Sequence, residues 1–207
     1  MGKIYQGGEA QVAHILESLA SGKDEWRRAG AEKRAAIIQK AGQIMRERRI
    51  ELAAIIVREG GKPWKESDAD VCEAIDFCDY YAEEMRRLGK PLLTQQVKGE
   101  TNHYFYKPRG IALIIAPWNF PLAICVGMCS AAIVAGNTVV VKPSSDSPGI
   151  AWQFFQLMEE VGLPAGVFNF VSGGGAIVGD TLVRHPKTRF VSFTGSTHVG
   201  RDVGERV

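Results

Sequence analysis

The stretch that decides the fold is Ile111–Pro143, IALIIAPWNFPLAICVGMCSAAIVAGNTVVVKP. It reads as strand, tight turn, apolar helix, turn, strand. Ile111–Ala116 is an apolar run of strand length. Pro117-Trp118-Asn119-Phe120-Pro121 interrupts it. Pro121 suits a helix opening, because its ring fixes φ and its missing N–H would have no intrahelical partner there. Leu122–Ala135 is apolar on nearly every side, so its helix is expected to be buried. Gly136-Asn137 stops that helix, with Gly136 able to take a left-handed terminal conformation. Thr138–Val141 is β-branched and runs into Lys142-Pro143. A β-α-β unit of this kind belongs to a parallel sheet. Ligands of such sheets lie beyond the carboxyl ends of the strands. The two polar residues delivered there are Asn119 and Lys142.

The units that follow repeat the plan. Pro148 sits where a first helical turn begins, and Ile150, Phe154, Leu157, Met158 and Val161 give Gly149–Val161 helical spacing. Gly162–Gly166 is a turn, Val167–Val171 a third strand, Ala176–Arg184 a helix and Arg189–Phe193 a fourth strand. Thr194-Gly195-Ser196 opens a last helix. The pattern predicts an α/β fold with a doubly wound parallel sheet and right-handed crossovers. The chain stops within that last helix, so the expectation is an incomplete Rossmann-like cofactor domain, cut before its last strand.

Upstream the pattern is helical. Gly8–Ala20, Lys23–Trp26, Ala31–Val57 and Ser67–Leu88 carry apolar residues at three- and four-residue steps. Asp68, Asp70, Glu73, Asp76 and Asp79 form an acidic flank, read as a solvated helix face because no histidine converges on it. Leu92–Lys107 reads as two short strands around Lys98-Gly99-Glu100. The organisation expected is a helical layer over 1–91, an extended arm over 92–108 and the Rossmann-like βαβ region over 109–207.

Of 207 residues, 45% are apolar and the formal net charge is only +2. With no concentrated basic face, nucleic acid is not an expected partner. Cys125 and Cys129 lie on the apolar helix and read as buried filler; there is no C-x-x-C, and no metal site is expected. Without a leader sequence the expected compartment is cytoplasmic. Leu122–Ala135 is too short to span a membrane, and no membrane span is expected.

Three further signals concern nucleotides. Gly173-Gly174-Gly175-Ala176-Ile177-Val178-Gly179 lacks the G-x-G-x-x-G spacing and fits either a tight turn or a cofactor contact. In Phe193-Thr194-Gly195-Ser196, the glycine admits a close backbone approach, and Ser196 either caps the next helix or offers its hydroxyl to a phosphate. Lys142, at a strand end, suits ribose hydroxyls or a phosphate.

Pro117–Pro121, Gly136-Asn137, Lys142-Pro143, Gly162–Val167 and Phe193–Ser196, in this order and at these intervals, resemble the NAD(P)-dependent aldehyde dehydrogenase superfamily. The likeness runs from about Trp26 to the last residue. Ala69–Tyr81, His185-Pro186 and Arg189-Phe190 look most like the subgroup that oxidises L-glutamate 5-semialdehyde, formed from 1-pyrroline-5-carboxylate, to glutamate in proline catabolism.

The resemblance implies the aldehyde dehydrogenase fold and a set of roles. Ile115, Pro117 and Trp118 line the nicotinamide side of the cofactor crevice, and the Asn119 amide belongs to the oxyanion hole. Lys142 contacts the adenosine ribose, Gly173 lies near it, Ser196 holds the pyrophosphate and Val199 packs on the adenine. Family members often carry a ribose-binding glutamate where this chain has Ser145. A carboxylate repels a 2′-phosphate and a serine does not, so NADP is admitted beside NAD. Leu92–Lys107 matches the start of the arm through which these enzymes form homo-oligomers.

In the family a cysteine thiolate adds to the aldehyde carbonyl, hydride leaves to the nicotinamide, and a glutamate helps to hydrolyse the thioester. That cysteine and that glutamate lie beyond the equivalent of Val207, so the isolated chain is expected to be inactive and prone to self-association. Two alternatives stay open: oxidation of another small substrate such as succinic semialdehyde, and a nucleotide-binding or structural module without chemistry.

Overall fold

The computed structural model describes residues 2–206. Four helices lead: α1 (Glu9–Arg28), α2 (Ala31–Glu47), α3 (Arg49–Gly60) and α4 (Trp64–Leu88). α1 runs unbroken through Ser21-Gly22. Gly22 serves a close crossing there: a Cβ at this position would come within 2.5 Å of the Gly166 carbonyl oxygen. Ala31–Val57, expected as one helix, divides at Arg48, whose backbone (φ −100°, ψ 19°) leaves the helical region. Its guanidinium forms a two-pronged pair with Glu160, at 2.8 and 2.6 Å. Gly61 ends α3 in the left-handed conformation at φ 66°.

A short antiparallel hairpin follows, β1 (Leu92–Leu93) with β2 (His103–Tyr104). Val97, expected in a strand, instead forms the corner: its carbonyl accepts from the Glu100 N–H at 2.9 Å, and Gly99 takes φ 89°.

The remainder alternates strands and helices: β3 (Ile111–Ile115), α5 (Ala123–Val134), β4 (Thr138–Lys142), α6 (Pro148–Glu160) and β5 (Phe168–Phe170). Then come a π-helical turn (Gly175–Gly179), α7 (Asp180–Arg184), β6 (Thr188–Phe193) and α8 (Thr197–Gly204). The expected helix over Ala176–Arg184 is therefore a π turn relaxing into one α-helical turn.

β3 to β6 form one parallel sheet in the order β5-β4-β3-β6. Strand alternation sends side chains to opposite faces. Ala112, Ile114, Val139, Val141 and Phe168 pack with the core of α2, α4, α5 and α6. Ile111, Leu113 and Val140 pack with Val12, Leu16 and Leu19 of α1 and with Val178, Leu182 and Val183. Both faces are covered at the central strands β3 and β4, as in a doubly wound sheet, while β6 is only half-buried. The chain steps outward from β3 to β5 over one face and returns over the other to lay β6 beside β3. The direction of winding reverses between β3 and β6, and the carboxyl ends of those strands bound the crevice.

α5 carries no charge, yet its ends are held by charged or polar groups from the helical layer. Asp70 of α4 accepts the Ala123 N–H at 2.6 Å. Arg34 of α2 donates to the Val134 carbonyl at 2.8 Å, and the Trp26 indole to the Ile133 carbonyl at 2.9 Å. Acid at the amino end and base at the carboxyl end complement the helix dipole. Burial without a carboxylate partner draws the Arg34 guanidinium below its usual range.

The acidic flank is accordingly not one solvated face. Asp70 is 1% exposed. Asp68 and Asp79 pair with Arg49 and Arg46. Among the described residues, no helix is long and apolar enough to cross a membrane.

α6 is capped from a distance. Pro148 fills its first turn, and the Glu59 carboxylate of α3 accepts from the Gly149 and Ile150 N–H groups at 2.6 and 2.9 Å. Glu59→Ala leaves both donors without these partners and is expected to cost about 1–2 kcal/mol, read as a lowered urea midpoint. Glu59→Gln, with one carbonyl oxygen left, should lose less.

Candidate functional site

The sheet register sets three loops side by side. Ile115, the last residue of β3, pairs with Lys142 on one side and with Phe193 on the other. The segments after β3, β4 and β6 therefore leave from a single row. The row continues in hydrogen bonds from Ala116 N–H to the Lys142 carbonyl at 3.3 Å and from Thr194 N–H to the Ile115 carbonyl at 3.1 Å. Every predicted site residue except Gly173 belongs to one of these strand ends, the loops beyond them or the start of α8. Gly173 follows β5, at the outer end of the same edge.

The β3 loop turns outward. Pro117 is buried, whereas Trp118, Asn119 and Phe120 are exposed. The Asn119 backbone carbonyl accepts from Lys62 Nζ at 2.9 Å, and its side-chain amide has no hydrogen-bond partner among the described residues. It is free to serve a ligand.

Lys142 is only 7% exposed and its Nζ donates to the Pro143 carbonyl at 3.0 Å. No carboxylate pairs with it among the described residues, and burial pulls its pKa below the usual lysine range. A buried ammonium with one carbonyl partner retains capacity for further acceptors. Ser145 is exposed on the turn that follows.

The glycines divide into two kinds. Gly173 is buried, and a Cβ there would collide with the Val178 side chain, so packing by itself requires a glycine. Gly174 and Gly175 are exposed and face open space. At Gly195 a Cβ would come within 2.7 Å of the Phe193 ring, which also lies against Gly200. Phe193 thus folds over its own loop and packs it against α8, a role that its place in a strand did not suggest. Ser196 caps α8, its hydroxyl accepting from the Val199 N–H at 3.3 Å. Val199 is 44% exposed.

Lys62 and Asp70 are the polar residues that sequence reasoning missed. Lys62 reads as part of a turn and Asp70 as part of an acidic face. Extending the apolar stripe of α4 backwards from Ala74 by helical steps falls on Asp70 and Ser67, both buried, and would have found the carboxylate. A cavity of about 900 Å³ lies outside the edge strand β5, between residues 2–7, α3 and Trp152. It contains none of the predicted site residues, and it lies away from the β3/β6 switch point where an open α/β sheet binds its ligand.

Comparison with known proteins accords with this geometry. The profile of the aldehyde dehydrogenase family matches residues 1–207. A 1-pyrroline-5-carboxylate dehydrogenase of Bacillus mycoides is 53% identical over 208 residues, covering all of this chain and 40% of the relative. The structure of 1-pyrroline-5-carboxylate dehydrogenase from Thermus with bound NAD superposes with a TM-score of 0.95 at 42% identity, covering 97% of this chain and 39% of that one. Proline utilization A from Bdellovibrio bacteriovorus gives a TM-score of 0.97 at 46% identity, covering 99% of this chain and 21% of that one. The chain thus spans about two-fifths of the length of the curated relatives it matches. With the doubly wound sheet, the exposed Asn119 loop and Lys142 at one row of strand ends, and a family profile that covers the whole sequence, this chain belongs to the aldehyde dehydrogenase family.

Proposed function

We propose that these residues are the cofactor-binding and oxyanion-stabilising part of an NAD(P)-dependent aldehyde dehydrogenase that oxidises L-glutamate 5-semialdehyde to glutamate. The observation that carries this reading is the common row of Lys142, Ile115 and Phe193, which starts the segments carrying an unpartnered amide and an under-partnered ammonium from the same edge of the sheet. Relatives named 1-pyrroline-5-carboxylate dehydrogenase support the substrate, and the Thermus structure with bound NAD supports the cofactor.

The residues fit such a cofactor. Lys142, short of acceptors, suits ribose hydroxyls. Ser145, Gly173, Ser196 and Val199 would hold the adenosine and pyrophosphate, with the free N–H groups at the start of α8 adding attraction for the phosphates. Ile115, Pro117 and Trp118 would line the nicotinamide end. When bound, the nicotinamide supplies the two-electron acceptor for a hydride from the aldehyde carbon. The Asn119 amide donates a hydrogen bond to the carbonyl oxygen as negative charge builds on it, a contact that strengthens only as the carbon becomes tetrahedral.

None of the deeply buried thiols suits nucleophilic attack. Burial raises the Cys78 and Cys129 pKa values, and Cys125 is fully buried beside Cys129. Cys72 stands on α4 in the helical layer. The nucleophile is therefore assigned to another part of the natural polypeptide, and the 207-residue chain alone is assigned no turnover. The exposed Leu92, Leu93, Tyr104, Phe105 and Tyr106 around the hairpin support an arm that joins subunits of a cytoplasmic homo-oligomer.

The test is the full natural polypeptide assayed with glutamate semialdehyde and succinic semialdehyde, each with NAD and NADP. Faster turnover of glutamate semialdehyde is expected. Preference for succinic semialdehyde would replace the substrate, and inertness toward both would remove the reaction class. Ser145→Glu sharpens the cofactor assignment: the added carboxylate should raise the KM for NADP by roughly tenfold while leaving that for NAD within about twofold. Equal effects on both would mean that the 2′-phosphate does not approach this turn.

A further inference from the structure

We propose that Lys62 and Asp70 are positioning residues that fix the Asn119 loop; the inference rests on the reading of Asn119 as the oxyanion donor. The two residues come from outside the sheet, Lys62 from the turn between α3 and α4 and Asp70 from the first half of α4. Their ion pair is 2.8 Å long, with side-chain exposures of 14% for Lys62 and 0% for Asp70. The two oxygens of the carboxylate have separate tasks. One accepts the Ala123 N–H at 2.6 Å; the other takes Lys62 Nζ. Lys62 Nζ in turn donates to the Asn119 carbonyl at 2.9 Å and stands 3.9 Å from the centre of the Phe120 ring.

One ion pair thus grips both ends of the segment Asn119–Ala123. Within it, Pro121 has a fixed φ and the Phe120 ring lies under the ammonium. The only unengaged polar side chain in the segment is the Asn119 amide. A helix start needs one acceptor for its first N–H; Asp70 alone satisfies it. The second half of the arrangement, an ammonium brought to the carbonyl of the residue that carries the free amide, serves no helix. It prevents rotation of the Asn119–Phe120 peptide, which would move the amide relative to the strand end. The Asp70 end of the network is sheltered from solvent and anchors the ammonium, while the Asn119 end is open to it. An oxyanion donor needs such anchoring, since a displacement of about 1 Å can cost roughly a hundredfold in rate.

The experiment is a double-mutant cycle in the full natural polypeptide, using Lys62→Met, Asn119→Ala and the pair, with glutamate semialdehyde and NAD. Met keeps the length of the stem and removes the ammonium. Lys62→Met should lower kcat by about 10- to 100-fold with the KM for NAD within about twofold. In the Asn119→Ala background the same change should lower kcat no further, because the group it positions is gone. Equal losses in both backgrounds, or no loss in either, would reduce Lys62 to a structural role and overturn the inference. If Asn119→Ala alone leaves kcat unaltered, the oxyanion reading fails first, which separates the two. Should Lys62→Met not yield soluble protein, Asp70→Asn carries the same cycle: its carbonyl oxygen still accepts the Ala123 N–H, while the anion facing Lys62 is lost.

Discussion

Asp70→Ala is expected to destabilise the fold by about 3–5 kcal/mol. The carboxylate is inaccessible to solvent and both of its oxygens are engaged. Its removal leaves the Lys62 ammonium, 14% exposed, without a counter-charge. It also leaves the Ala123 N–H unpaired at the start of a helix that is buried except along the face of Ile124, Met128 and Ala131. Domains of this size are held by roughly 5–15 kcal/mol, so the loss is a large share of the total. The measurement is the urea midpoint of the full natural polypeptide, with soluble yield as a coarser readout. Asp70→Asn, able to keep the helix contact, should lose less than Asp70→Ala. A midpoint shift equivalent to under about 1 kcal/mol for Asp70→Ala would mean that water or a neighbouring carbonyl takes over both contacts.

The parts of the fold that could be read in the sequence are those governed by local physics. The β3-α5-β4 unit is legible because Ile111–Ala116 and Thr138–Val141 are strand-length apolar runs, separated by a proline turn and a glycine stop. Gly136 does take a positive φ, of 93°. Features set by distant contacts were not legible. The continuity of α1 through Gly22 depends on Gly166, and the break at Arg48 goes with an ion pair to Glu160. Neither partner is near in sequence. The same holds at the site. Asn119 and Lys142 stand at strand ends and were visible as such. Lys62 and Asp70 act on that loop across 57 and 53 residues of chain, and only the folded molecule brings them to it.

Asn119→Ala in the full natural polypeptide is expected to lower kcat by about a hundred- to a thousandfold, the usual effect of deleting one oxyanion donor. Its cost to stability should be small, within about 0.5 kcal/mol, because the side chain is exposed and has no hydrogen-bond partner among the described residues. The loop keeps its shape, since Lys62 grips the backbone carbonyl of residue 119 and not its amide. That separation is what makes the variant informative: the donor is removed while the scaffold that carries it stays. If the amide acts only as charge develops on the carbonyl oxygen, kcat and kcat/KM fall together and the KM for aldehyde hardly moves. A rise in KM with kcat preserved would instead assign Asn119 to ground-state binding of the substrate. Asn119→Asp should be slower still than Asn119→Ala, because it sets a negative charge beside the one that must form. An Asp variant faster than the Ala variant would show that no anion forms next to residue 119.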